Sequence, residues 1–116
     1  MTIRIVNQTR GNVVCEQTEV AANMLTRMRG LLGRASLAEG HGMLFRGESS
    51  IHSAFMRFDF DAVFMDKEMR VLRAVERIPP WRAHSARQAR NVLELAAGEI
   101  GRSGVQVGDQ LAVSED

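Results

Sequence analysis

Asp59 and Asp61 are the first groups in this sequence whose type and spacing could do chemistry. On a strand, residues two apart share a face at about 7 Å, a separation at which two carboxylates can serve as acid and base through a water. The same alternation, Phe58-Asp59-Phe60-Asp61, also describes a solvated strand face backed by phenylalanines. Asp61 has a further use. Four residues after Arg57, at the mouth of an apolar run, it can form a structural ion pair or one half of a ligand clamp. Glu94 interrupts Val92-Leu93 and Leu95, so it either points outward or is paired, for instance with an arginine from residues 70–90. It is the second candidate acid/base.

Trp81, the only tryptophan, follows Pro79-Pro80 and precedes Arg82 in a polar stretch. Large aromatics beside arginine are favoured at binding hot spots, although such a residue can also cap one end of a barrel. His52 lies near this group in the chain order of elements, and His84 reads as a lone, solvated loop histidine. Other signals are weaker. His52 and Met56, four apart on a strand, would be about 13 Å apart, and no His-x-His or Cys-x-x-Cys spacing occurs, so no metal is expected. Gly40-His41-Gly42 lacks the frame of a phosphate loop, and Ser49, Ser50 and Ser53 lack a nucleophile elbow. Cys15 is the single cysteine, which excludes an intramolecular disulfide and reads as a small buried thiol.

The elements that must position these groups are short. Thr2 to Gln8, then Gly11-Asn12, then Val13 to Cys15 read as a hairpin. Ala21 to Leu32, with Leu25, Met28 and Leu32 at helical spacing, predicts a helix stopped by Gly33. Gly40 to Ser50 reads as loop around Met43-Leu44-Phe45, and Ile51 to Met56 as extended. Ala62 to Met65 is apolar on both faces and predicts a central, doubly covered strand. Asp66 to Met69 turns into a return strand, Arg70 to Ile78, which Pro79-Pro80 ends. Trp81 to Arg90 reads as loop, Asn91 to Ala96 as strand, Ala97 to Gly104 as a turn or two of helix, and Gln110 to Val113 as the last strand. The expected fold is mainly β: a small antiparallel barrel or sandwich of about seven short strands with one or two short helices, in one domain spanning residues 1–116.

Six blocks in order carry a family likeness. They are Arg27-Met28-Arg29-Gly30-Leu31-Leu32-Gly33-Arg34, Gly42-Met43-Leu44-Phe45, Phe55-Met56-Arg57-Phe58, Asp61-Ala62-Val63-Phe64-Met65-Asp66, Val92 through Gly98, and Gly104-Val105 with Gly108-Asp109. Together they resemble the domain-of-unknown-function 192 family, a widespread group of prokaryotic proteins, over roughly Arg27 to Leu111. The resemblance implies a mainly β fold with a short helix and no assigned activity. Two departures stand out. The family more often has Met at Leu32 and Pro-Ile at Asp59-Phe60, so a role for Asp59 gains no support from it. Many relatives look exported or membrane-anchored. No leader or apolar anchor is visible here, so the expectation is a soluble, cytoplasmic bacterial chain.

Composition limits the function classes. Leu, Ile, Val and Phe are 30 of 116 residues, above the roughly 20% below which chains stay disordered. The net charge of +1 gives no global pull toward nucleic acid or anionic membranes. The distribution is uneven, with Arg70, Arg73, Arg77, Arg82, Arg87 and Arg90 against Glu76 alone over residues 70–90. Of these observations the best-supported expectation is a non-catalytic module, without cofactor, that binds a small molecule or protein partner. Its binding rim would be Arg57, Asp61, Trp81, Arg82 and Glu94, with His52 nearby. The alternative is an enzyme acting on a carbohydrate or similar polar substrate with Asp61 or Glu94 as acid/base. It requires both carboxylates to face one pocket. Nucleic-acid binding through residues 70–90 ranks last, because one indole serves base stacking poorly.

Overall fold

The run from Phe60 to Met65 is buried at every position, as a strand covered on both faces must be. The computed structural model, which describes residues 2–21, 37–54 and 56–114, shows what covers it. In chain order the strands are β1 (Thr2–Asn7), β2 (Asn12–Ala21), β3 (His41–Arg46), β4 (Ser50–His52), β5 (Phe60–Met65), β6 (Val71–Ile78), β7 (Ala83–Ser85), β8 (Asn91–Ala96) and β9 (Leu111–Ser114). A single short helix among the described residues, α1 (Glu99–Ser103), lies between β8 and β9. Of the helix predicted over Ala21–Leu32, only Ala21 is described, as the end of β2; the rest lies outside the described residues.

Seven strands form one sheet in the order β6-β5-β8-β3-β2-β1-β9, and β4 pairs with β7 in a separate ribbon. The fold is thus mainly β, as expected. Every pairing is antiparallel except β2 with β3, which run parallel from Gln17↔His41 to Ala21↔Phe45. A parallel pair needs a long crossover, and the chain between Ala21 and His41 supplies it. The sheet does not close into a barrel. Its two edge strands come together only at one end, through the Arg70↔Gln110 bridge and the bonds Val71 N–H to Asp109 O (2.9 Å) and Leu111 N–H to Met69 O (3.0 Å).

Strand alternation sorts the core into two clusters. Ile5, Val14, Leu44, Val63, Leu93 and Leu95 fill the inner, concave face, with Ile100 of α1. Phe45, Phe60, Phe64, Val92 and Ile78 fill the outer face, beneath Ile51 of β4 and Ala89. Each fully buried phenylalanine contributes on the order of 2–3 kcal/mol relative to exposure. The aromatic weight of the core therefore lies on the outer face, under the β4–β7 ribbon.

One buried polar cluster ties the first strand to the last. Asp109 Oδ2 accepts from Asn7 Nδ2 (2.9 Å), Arg10 Nε (2.7 Å) and Gln106 N–H (3.0 Å). Burial pushes the Asp109 carboxyl up, but the bonds from Arg10, Asn7 and Gln106 and the Arg10 charge outweigh it and hold it below its ordinary value. A carboxylate with a depressed folded pKa adds stability above its unfolded pKa, and that stability is lost as pH falls through the folded value. The gap in urea midpoint between the native chain and Asp109→Asn is therefore expected to narrow below about pH 4. A gap that stays constant from pH 6 to 2.5 would contradict the assignment.

Candidate functional site

Four of the six residues proposed for the binding rim meet around one buried serine. Ser53 follows β4 and is fully buried. Its hydroxyl donates to Pro79 O (2.6 Å) and accepts from Arg82 N–H (2.8 Å), and its N–H donates to Arg82 O (2.8 Å). Its carbonyl accepts from both Trp81 N–H (3.0 Å) and Met56 N–H (3.1 Å). Two stretches distant in sequence are thereby pinned together. Arg57 leaves the cluster directly after Met56, Trp81 and Arg82 are bound to it through their backbones, and His52 stands opposite Ala83 in the ribbon. His52, Arg57, Trp81 and Arg82 are all exposed.

Trp81 is 61% exposed and sits at φ 66, in the left-handed region. For a bulky residue this backbone costs roughly 1–2 kcal/mol, and it persists only because neighbouring bonds over-determine it. Here those bonds are the ones to Ser53. Pro79 and Pro80 stop β6 before this turn, since neither can donate to a ladder.

The two carboxylates of the predicted rim lie elsewhere. Asp61 is fully buried on the inner face. Its Oδ1 accepts from Arg77 N–H (2.9 Å), and its Oδ2 from Gly98 N–H (3.1 Å) and Ile100 N–H (2.9 Å). Arg77 is the extra residue of a bulge, with Phe60↔Ile78 on one side and Ala62↔Val75 on the other, and its φ is 51. Asp61 thus holds a strained bulge and the start of α1 at once. Glu94, 2% exposed, stands opposite Ala62 and Met43, both outer-face residues. Alternation puts Asp61 and Glu94 on opposite sides of the sheet, so they cannot act as an acid/base pair on one substrate. Asp59 is exposed and stands before β5 begins.

A cleft of about 300 Å³ opens on a different part of the surface, lined by Val13, Glu16, Glu39, Gly40, Glu99 and Arg102. Arg102 pairs with the buried Glu99 through its Nε and donates from Nη2 to Val14 O (3.0 Å). Close by, Cys15 is buried, with its Sγ 3.4 Å from Gly40 O. Burial pushes its thiol up; contacts with Thr18 and Gln17 and the charge of Arg102 pull it down by less, while Glu99 adds to the rise. A thiol kept protonated is a poor nucleophile. Among the described residues no group of three or more His, Cys, Asp or Glu is placed to hold a metal ion, and no helix is long and apolar enough to cross a membrane.

Sequence reasoning missed Ser53 because a lone serine after a short apolar stretch carries no pattern; only its burial and bonding reveal it. It also missed the cleft, whose lining comes from β2, α1 and the turn before β3, all far apart in the chain.

Comparison with known proteins agrees with this fold. The DUF192 family model, described as an uncharacterized ACR, matches residues 5–113. A UPF0127 protein of Thermococcus gammatolerans is 31% identical, covering 93% of this chain and 73% of the relative, and one of Thermococcus sibiricus is 26% identical over 92% and 72%. A Sinorhizobium meliloti crystal structure, provisionally described as a transcription regulator, superposes with TM-score 0.81 at 28% identity, covering 97% of this chain and 92% of that one. A protein of unknown function from Novosphingobium aromaticivorans, at 21% identity over 97% and 84%, shares the fold with TM-score 0.79.

Proposed function

We propose, starting from the fact that the chain belongs to the uncharacterized DUF192 family, that it works as a non-catalytic binding module contacting a protein partner through Trp81. One observation carries this reading: a large indole is held outward on a strained backbone by the Ser53 bonds. Evolving chains tolerate such strain where it serves a contact. Arg57, Arg82 and His52 lie near Trp81 along the backbone that Ser53 ties together. A small molecule is the less favoured ligand, because the cleft beside α1 lies elsewhere and Trp81 projects rather than lines a hollow. The S. meliloti protein is described as a transcription regulator, which makes nucleic acid a second ligand class to weigh for this chain; the Trp81 surface supports it poorly, since Trp81 is the one exposed aromatic among the described residues.

The test compares three immobilised baits in lysate of the source organism: the native chain, Trp81→Ala, and Val107→Ala, which removes another exposed apolar side chain at 66% exposure. The expected result is a protein retained by the native and Val107→Ala baits and lost from Trp81→Ala. In purified form that protein changes the fluorescence of Trp81, the sole indole. Identical retention by all three baits removes the reading. Trp81→Gly is expected to fold at least as stably as the native chain, by up to about 1 kcal/mol in chemical denaturation, because glycine accepts a positive φ. The residue would then be one retained at a cost in stability.

A further inference from the structure

We infer that the partner segment seated on this surface is acidic: an extended, carboxylate-rich stretch of a protein chain lying along the β4–β7 ribbon. This rests on the reading that the Trp81 surface is the contact face, and it names what that face takes. The ribbon and the stretches bordering it, residues 46–59 and 73–90, hold seven arginines, Arg46, Arg57, Arg73, Arg77, Arg82, Arg87 and Arg90, against Glu48, Asp59 and Glu76; Arg77, whose guanidinium lies beside Gly98, and Glu76, whose carboxylate lies beside Gly101, turn toward α1, which leaves six arginines against two carboxylates. That is a surplus of four positive charges in a chain whose net charge is +1, so charge is segregated onto this side. All seven arginines are exposed. Among the described residues, ion pairs join Arg4 to Glu16, Arg10 to Asp109 and Arg102 to Glu99, and none involves these seven.

Their placement follows the ribbon. Gly47 N–H bonds Arg90 O, which sets Arg46 and Arg90 side by side at one end. Arg73 Nη1 donates to Ser85 O (2.6 Å) beside the ribbon's last pair, Ser50↔Ser85. Ser53 gathers Arg57, Trp81 and Arg82 at the other end. Arg73, Arg82 and Arg90 each spend a donor on a backbone carbonyl, at 2.6, 3.2 and 2.7 Å. This steadies the guanidinium and leaves further N–H groups pointing at solvent. Guanidinium forks fixed in this way suit carboxylates, which accept two parallel bonds. Each ribbon strand has three residues, about 10 Å of extended chain, so a peptide of about three or four residues spans the ribbon and a few more reach the arginines at its two ends. The lone indole serves a protein segment as a single anchor, whereas a nucleic acid would call for a series of stacking aromatics.

The experiment titrates the intact chain with fluorescein-labelled poly-L-glutamate of about fifteen residues, read by the label's anisotropy, with poly-L-lysine and a 20-base-pair DNA duplex as the other arms. Poly-glutamate is expected to bind, to weaken as salt rises from about 50 to 300 mM, and to bind about tenfold more weakly to Arg57→Gln/Arg82→Gln. That double variant removes only exposed groups, and circular dichroism confirms its fold. No binding of poly-glutamate, unchanged affinity in the double variant, or tighter binding of DNA than of poly-glutamate overturns the inference. The last result reassigns the strip to nucleic acid. Failure here while a partner is still lost from the Trp81→Ala bait leaves the contact face standing and sinks only the acidic character of its ligand.

Discussion

Replacing Asp61 with alanine will lower folding stability by about 3–5 kcal/mol, a large share of what a chain this size has. The carboxylate accepts from three backbone donors, at Arg77, Gly98 and Ile100, and it is fully buried. Deleting it leaves those donors without an acceptor in the sheet interior, each at a cost of roughly 1–3 kcal/mol less whatever relaxation recovers. The φ of 51 at Arg77 loses its main restraint, so the bulge and the start of α1 loosen together. Asp61→Asn keeps the shape but turns one acceptor into a donor facing donors, and it should recover little. Urea denaturation measures both. A loss under about 1 kcal/mol for Asp61→Ala would mean that the carboxylate does not hold this junction and would return it to the pool of candidate binding groups.

Gly42→Val is the second large effect, expected at about 3 kcal/mol or more. A Cβ built on Gly42 lies 2.6 Å from Glu94 O, 2.9 Å from Cys15 Sγ and 3.2 Å from Leu95 Cδ2. The first contact is with backbone in the adjacent strand, β8, where Gly42 pairs with Leu95. It can be relieved only by pushing β3 away from β8 at the centre of the sheet. Gly42→Ala takes the lower part of the range, about 1–3 kcal/mol. Gly101→Ala is the control. Its Cβ would meet only Glu76 Oε1 at 3.5 Å, an ordinary contact, and alanine favours helix. It should leave stability unchanged or raise it by up to about 1 kcal/mol. Thermal or urea unfolding of the three variants separates close packing from a general penalty for replacing glycine. Equal effects at positions 42 and 101 would refute the packing argument.

These two positions show what the sequence made legible and what it hid. The doubly buried β5, the return strand β6 ended by Pro79-Pro80, and β8 over Asn91–Ala96 were all readable, because continuous apolar runs and proline stops are local signals. β3 reads as loop because glycines flank its short apolar run; Gly42 belongs to the strand because a neighbouring backbone passes too close for any side chain. The outer half of β2, with Glu16, Gln17 and Glu19, and the polar β7 gave no alternation to read; pairing with β1 and β3, and with β4, fixes them. The parallel β2–β3 pairing is a non-local fact that no window of sequence contains. Asp61 and Glu94 read as rim residues because carboxylates are expected outside. A carboxylate that satisfies three backbone donors belongs inside, and its partners lie 16, 37 and 39 residues away. The exposed Trp81 and its basic neighbours were legible from composition alone, while the serine that gathers them was not.

The antiparallel pairing of β1 with β9, from Arg4↔Ser114 to Asn7↔Leu111, sets an order on biosynthesis. The leading hairpin leaves the ribosome about a hundred residues before the strand that will flank it, at 5–20 residues per second. For several seconds β1 has a bare hydrogen-bonding edge, which an unfinished neighbouring chain can capture. The β1–β9 joint therefore cannot form until nearly all of these residues are made, and the Asn7–Asp109 bond, spanning 102 residues, is among the last contacts to become available.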